Sequence, residues 1–288
     1  MSGQVGLVVH PRRDLDSALA ATRAWASRRG VAIGQIRIPG QSRTIAEPVD
    51  VGSCDFVVAL GGDGTALAAL HAAAPASRPV LGIACGSIGV LTSVDSEQID
   101  SALELALAGD WLPQALPGLN IDSGAANLTV AINDVAVVRD GTGQVITDIR
   151  IDGELYARTA GDGVIVATPL GSSAYTMAAG GPILLPGTDA MVLTPLARHG
   201  GVSPPLVVGP ESRIGLLVEP GYGGCRFEVD GQELAVEAFE ATVSLRRDYA
   251  TMIRLADQEP ILTALRRRGL VVDSPRILAR DQRAALPP

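Results

Sequence analysis

The chain has 288 residues, about two average domains, and its 47% hydrophobic and 19% charged content excludes a disordered polymer. All 23 basic residues are Arg, against 31 acidic ones, for a net charge of -8. The absence of Lys excludes P-loop NTPase, protein-kinase and Schiff-base chemistry, each of which needs a Lys amine, and the acidic balance argues against a nucleic-acid partner.

Residues 5–9 read as a short buried strand, and residues 14–29 as a helix with Leu15, Ala18, Leu19, Thr22 and Ala26 at helical spacing and Gly30 as its stop. Strand signals return at 31–38 and in the apolar run 56–60. A tight turn follows at 61–64, then an Ala/Leu-rich helix at 65–74 stopped by Pro75, a strand at 80–84 and a helix at 95–108 closed by Gly109. This alternation predicts a doubly wound, mostly parallel α/β domain over residues 1–112. After Trp111-Leu112-Pro113 helical periods fade, and Pro117-Gly118 reads as a break. Strands are then expected at 128–139, 144–151, 154–159, 164–168, 205–208, 214–218, 225–229 and 237–245, with Asp152-Gly153 and Asp230-Gly231 as hairpin turns. The expectation is an antiparallel β domain over 113–258. The remainder, 259–288, holds one helix at 261–268, expected to pack back on the first domain, and a loose tail from Ser274.

Cys54, Cys85 and Cys225 include no C-x-x-C pair, so neither a disulfide framework nor a protein-held metal site is expected. The apolar run before His10-Pro11-Arg12-Arg13 is too short and wrongly flanked for a signal peptide, which points to the cytoplasm. Residues 163–188 carry no charge, but their Gly and Pro residues suit a soluble strand, loop and short helix better than a membrane span.

Three elements could carry chemistry. Gly61-Gly62-Asp63-Gly64-Thr65 lies between an apolar strand and a helix, where glycines admit a phosphate close to the backbone and the helix start favours an anion. A carboxylate among those amides is useful if it accepts a proton from a substrate hydroxyl or meets a metal; otherwise Asp63 caps the helix. Leu67 stands where a dinucleotide fingerprint needs its third Gly. The second element, residues 161–182, ends a strand at Thr168-Pro169 and opens a short helix with Ser172, Ser173, Ala174 and Tyr175, small residues and an aromatic that suit a flat purine or sugar. The alternative is a helix start capped by Ser172 or Ser173 with Tyr175 in the core. The spacing excludes a nucleophile elbow. Third, Asn133-Asp134 interrupts an apolar strand, as polar groups that need partners or as a β-bulge. His10, His71 and His199 lack ligand spacing and read as structural.

Together these elements resemble the NAD kinase family over roughly residues 56–233. The matching residues are Gly61 to Thr65, Gly86-Ser87-Ile88-Gly89, Asn133-Asp134, the run 161–182, Pro205-Leu206-Val207-Val208 and Val229-Asp230-Gly231-Gln232. The Gly-Gly-Asp-Gly turn alone is shared with lipid kinases and phosphofructokinases; the run 161–182 is the specific part. The resemblance implies an α/β domain meeting an all-β domain, with nucleotide in the cleft between them. It implies that Asp63 orients and deprotonates the adenosine ribose 2′-hydroxyl, and that Gly61, Gly62, Gly64 and Thr65 hold the phosphoryl chain. Asn133 and Asp134 would grip the adenosine, with Ser173, Ala174 and Tyr175 lining its pocket. Asp162 would face the nicotinamide half, which a neighbouring subunit completes in a homodimer or homotetramer. The donor would be ATP or polyphosphate, carrying a divalent metal, Mg, on its phosphates. The sequence departs from the family at Asp134 (usually Glu), Ser173 (usually Thr), Leu170 (usually Thr or Ser) and Ala84-Cys85 (usually Asn-Leu). Two alternatives stay open: a lipid or diacylglycerol-type kinase, and an inactive nicotinamide-nucleotide-binding sensor.

Overall fold

The computed structural model describes residues 3–86, 89–124, 129–235, 239–256, 258–267 and 269–284. Ser87 and Ile88 of the Gly-Ser-Ile-Gly motif, Leu128, residues 237 and 238, and Arg268 lie outside the described residues.

The first part of the chain runs β1 (Gln4–Val9), α1 (Asp16–Arg29), β2 (Ala32–Gln35), β3 (Phe56–Gly61), α2 (Asp63–Ala73), β4 (Val80–Ala84), β5 (Val94–Asp95) and α3 (Ile99–Ala108). It continues as β6 (Leu112–Asp122), β7 (Thr129–Ala131), β8 (Asp134–Arg139), β9 (Val145–Ile151), β10 (Glu154–Gly161), β11 (Gly163–Ala167) and α4 (Tyr175–Ala178). The last elements are β12 (Met191–Leu196), β13 (Leu206–Val208), β14 (Arg213–Glu219), β15 (Cys225–Val229), β16 (Gln232–Leu234), β17 (Glu240–Arg254), α5 (Ile261–Arg267) and α6 (Pro275–Ala284).

Strands β1 to β4 pair in parallel, and β3 is buried along its whole length because helices cover both of its faces. On one face Val58 and Leu60 pack with Trp25 of α1 and Leu103 of α3; on the other Val57 and Ala59 pack with Ala66, Ala69 and Leu70 of α2. Trp25 keeps its indole N–H satisfied inside that core by donating to Glu104 at 2.9 Å. The α/β domain is therefore doubly wound, as expected.

The β part is a six-stranded antiparallel sheet, in the order β13-β12-β11-β8-β15-β16, stacked on antiparallel strands of a larger sheet. Val137, Val166 and Phe227 from the smaller sheet meet Ile149, Leu216 and Val243 from the larger one to form the second core. The larger sheet does not stop at the domain junction. Its path runs β10-β9-β14-β17-β4-β3-β1-β2, because β17 pairs antiparallel with β14 at one end and parallel with β4, through Met252 and Val80, at the other.

Several expectations need correction. Residues 112–122 are a strand rather than a break: β6 pairs with β17, and Pro117 is tolerated because it faces the register shift between Arg246 and Ala250. Strand β12 was not anticipated, and β17 extends to Arg254, well past the expected end at 245. The predicted strand 128–139 is two strands in different sheets: β7 joins the larger sheet through β6, and β8 the smaller one. Residues 275–284, expected to be loose, form helix α6, with Ile277 and Leu278 exposed.

Candidate active site

Asn133 and Asp134 stand where the chain crosses from one sheet to the other, so this is no β-bulge within a single strand. A crossing takes backbone amides out of both ladders, and each buried one needs another acceptor. A single carboxylate provides it. Asp230 accepts from the amides of Ile132 at 2.8 Å, Asn133 at 2.7 Å and Asp134 at 3.0 Å. Its own amide donates to the Asp134 carbonyl at 2.9 Å, and His71 of α2 meets its second oxygen at 2.6 Å. Asp230 does occupy the expected hairpin turn between β15 and β16, but its side chain, only 4% exposed, is the hub that ties α2 to the crossing. The carbonyls on the far side are taken by Thr168, whose hydroxyl donates to Ile132 at 2.7 Å and whose amide donates to Asn133 at 2.9 Å. The Asn133 side-chain amide makes no hydrogen bond among the described residues and is only partly buried, so it is available to a ligand.

Asp63 opens α2, eight residues and about 12 Å along the helix from His71. The N-cap position itself is Gly62, with Asp63 one residue inside the helix. Its carboxylate turns instead to the loop after β4 and accepts from the amides of Val90 and Leu91, each at 2.9 Å, and of Thr92 at 3.2 Å, together with the Thr92 hydroxyl at 3.3 Å. Gly89 makes this possible: a β-carbon there would sit 1.8 Å from the Asp63 carboxylate. The family-like Gly86 to Gly89 stretch is thus followed by the amides that hold the charged group of the Gly-Gly-Asp-Gly turn. Gly89, Val90 and Leu91 share the wall of a cavity of about 540 Å³ with Pro169 and Leu170, while Gly64 borders one of about 650 Å³ with His71, Val130 and Asp230. The residues around the start of α2 therefore border cavities that reach both the 168–171 turn and the Asp230 hub.

The smaller sheet presents its outer face to the same region. Val135 and Val137 enter the core, so Asp134, Ala136 and Val138 of β8 point outward, with Ile165 and Ala167 of β11 beside them and Arg226 and Glu228 of β15 across the ladder. Glu228 is bridged by Arg226 at 2.6 Å, and Arg226 also pairs with Asp140. Burial pushes the Asp134 carboxyl up to about 7, with Asp230 and then Glu228 adding to the effect. Burial, reinforced mainly by Glu228, also raises the Tyr175 phenol.

The turn over this face closes on itself. Ser172 donates to Pro169 at 2.6 Å and accepts from the Leu184 amide at 2.8 Å, and Ser173 donates to Leu170 at 3.0 Å. Neither serine caps α4 by a side-chain bond, and Tyr175 is 37% exposed rather than in the core. Ala174 is exposed beside it. Asp162 lies at the far end of the face, paired with Arg139 at 2.5 Å. It does not join the Asp134 end: β8 runs four residues, about 13 Å, from Asp134 to Val138, the partner of Gly163. Tyr175 and Asp162 share a depression of about 480 Å³ with Val138 and Leu196. A groove of that length suits a ligand with two separated heads.

Among the described residues no group of three or more His, Cys, Asp or Glu gathers to hold a metal, and no helix is long and apolar enough to cross a membrane. Asp230 and Thr168 fall in stretches that carry the family resemblance but were assigned no role in the site from the sequence, His71 reads there as structural, and Arg226 and Glu228 on the outer face were not anticipated. The clue to the last two was their alternation with Cys225, Phe227 and Val229 in a strand half-buried on one face.

Residues 22–111 match the family described as ATP-NAD kinase N-terminal domain, and residues 132–255 match ATP-NAD kinase C-terminal domain. An NAD kinase of Chlorobium limicola is 32% identical over 210 residues, 72% of each chain. One from Koribacter versatilis is 37% identical over 183 residues, 62% of this chain and 64% of that protein, and one from Nocardia farcinica 38% identical over 168 residues, 56% and 51%. The chain thus spans less than two thirds of the length of these last two relatives. Among solved structures, yeast NADH kinase complexed with NADH superposes with a TM-score of 0.78 at 22% identity, covering 95% of this chain and 89% of the yeast one. An Archaeoglobus fulgidus NAD kinase in complex with ATP gives 0.71 at 24% identity, covering 88% and 94%. At those identities the likeness is one of fold.

Proposed function

The chain belongs to the NAD kinase family, and on that premise we propose that it transfers a phosphoryl group from ATP or inorganic polyphosphate to the adenosine ribose 2′-hydroxyl of NAD, giving NADP. The observation that carries this reading is the hub at Asp230, which fixes the Asn133-Asp134 crossing to the helix that Asp63 opens. Phosphoryl transfer asks chiefly for positioning and for neutralised charge, so a site without Lys is chemically sufficient.

In this reading Asn133 and Asp134 hold the adenosine on the outer face of the smaller sheet, with Ala174, Tyr175 and the closed Ser173 turn as its wall. Asp162, at the far end of the groove, faces the nicotinamide half, completed by a neighbouring subunit in a homodimer or homotetramer. Gly61, Gly62, Gly64 and Thr65 hold the donor's phosphoryl chain, which brings its own divalent metal, Mg, as part of the substrate. Asp63 orients the 2′-hydroxyl and takes its proton as the oxygen attacks the terminal phosphorus, whose bond to the bridging oxygen breaks and releases ADP or a polyphosphate one unit shorter. To reach the hydroxyl, the carboxylate exchanges one of its bonds to residues 90–92, so that loop and the reacting group move together. Three free thiols suit a reducing compartment, the cytoplasm.

The test is incubation of the purified chain with NAD, magnesium and either ATP or polyphosphate, with NADP read by an NADP-specific dehydrogenase. NADP formation with one of the donors supports the reading. NAD binding without NADP from any donor overturns it in favour of a sensor, and phosphorylation of a diacylglycerol instead of NAD overturns it in favour of a lipid kinase.

A further inference from the structure

We infer that Arg13 is the side chain that grips the donor's phosphoanhydride chain, laid across the Gly62 and Gly86 turns; this rests on the phosphotransfer reading above. A donor with three or more phosphates brings several negative charges into a protein of net charge -8 that contains no Lys, so any permanently charged side chain that helps the donor's own metal neutralise them must be an Arg.

Arg13 is placed for this by residues with no other evident task. His10 follows β1, and its amide donates to the Leu60 carbonyl of β3 at 2.9 Å, anchoring the loop beside the Gly-Gly-Asp-Gly turn. The His10 ring accepts through Nδ1 from the amides of Arg12 at 3.1 Å and Arg13 at 3.0 Å, which curls the chain back over that turn. This needs an unprotonated Nδ1, and burial, followed by Arg13, Arg12 and Arg43, lowers the His10 pKa and so favours that form. Arg43 fixes the loop from outside by donating to the Arg13 carbonyl at 2.6 Å.

The guanidinium then lies between two glycines. One Nη donates to the Cys85 carbonyl at 2.8 Å, a β-carbon at Gly86 would stand 2.6 Å from it, and one at Gly62 would stand 3.7 Å from the other Nη. Any side chain at position 86 would displace the cation. Nε and the second Nη make no hydrogen bond among the described residues, and Arg13 forms no ion pair there. The nearby Arg43 is committed elsewhere, to the Arg13 carbonyl at 2.6 Å and to Asp16 at 3.7 Å. An exposed Arg normally finds a carboxylate or solvent. This one is pinned by a carbonyl beside the start of α2, with its remaining donors uncommitted in the fork geometry that suits phosphate oxygens.

Calorimetry on the full chain tests the inference directly, with magnesium–ATP, tripolyphosphate and NAD as separate probes, for the wild type, Arg13→Gln and Arg13→Lys. Arg13→Gln is expected to weaken binding of ATP, tripolyphosphate or both by about tenfold or more, to leave NAD affinity within about twofold, and to be partly restored in Arg13→Lys. Which probe responds identifies the source of the phosphates. Unchanged binding of both phosphate probes, an equal loss for NAD, or a wild type that binds neither phosphate probe would overturn it. A wild type that binds a phosphate probe through Arg13 yet forms no NADP would refute the phosphotransfer reading and leave the role of Arg13 standing.

Discussion

Asp134 offers a thermodynamic test that needs no substrate. Its carboxyl makes no hydrogen bond through its side chain among the described residues, yet it is only 6% exposed. Burial first, then the Asp230 and Glu228 carboxylates, push it from 3.8 up to about 7. A carboxyl raised in the folded state holds its proton more tightly there than in the unfolded chain, so this group's stability is greatest below about pH 4 and declines until pH passes about 7. At about 1.4 kcal/mol per pH unit, the loss has a ceiling of about 4 kcal/mol. Asp134→Asn keeps the shape and cannot ionise, and the backbone bonds between residues 134 and 230 do not depend on the side chain. Urea unfolding of both proteins across about pH 4.5 to 8, without nucleotide, should show the variant gaining on the wild type by about 2 to 4 kcal/mol as pH rises, with the gap levelling above about pH 7.5. A constant gap across the range would mean that Asp134 ionises as an ordinary carboxyl, and the dry site argued from its burial would be wrong.

Asp230→Ala should be more damaging than any surface substitution, because it strips the acceptor from three amides and from His71; at about 1 to 3 kcal/mol for each buried donor left unsatisfied, a loss of about 3 kcal/mol or more is expected in denaturant unfolding, and less than about 1 would refute the hub. Gly89→Ala places a methyl where the Asp63 carboxylate lies, so turnover should fall by about tenfold or more while the melting temperature changes by only a few degrees, and unaltered turnover would show that the clamp is dispensable. Asn133→Ala should raise the Michaelis constant for NAD by about 10- to 100-fold, the equivalent of about 1 to 3 kcal/mol, with little effect on the donor constant; an unchanged NAD constant would place the adenosine elsewhere.

Local pattern made the α/β half legible. A strand such as β3, apolar on both faces, announces a parallel sheet covered by helices, and Gly30 and Gly109 mark the helix ends that the structure shows. The Asp63 turn stood out because its glycines sit between a strand and a helix. What escaped was set by distant pairing. Pro117 looks like a strand breaker, and only the irregular register of β17 opposite it shows why it is tolerated. The far end of β17 was lost because Arg246, Arg247 and Asp248 read as a polar end, whereas the chain bulges there and re-enters the larger sheet. Asn133-Asp134 was recognisable as an interruption, but its cause, a crossing between sheets satisfied by a carboxylate 98 positions away from Ile132, leaves no local signature. His71 looked structural and is so in a specific sense: it joins the helix opened by Asp63 to that carboxylate.

If Asp63 is the group that handles the 2′-hydroxyl, the most direct measurement compares turnover with NAD affinity in Asp63→Asn. NADP formation should fall by about 10² to 10⁴ while NAD binding, measured by calorimetry, stays within a few-fold of the wild type. Turnover within a few-fold of the wild type would contradict that role and leave Asp63 as no more than the anchor of the loop at residues 90–92.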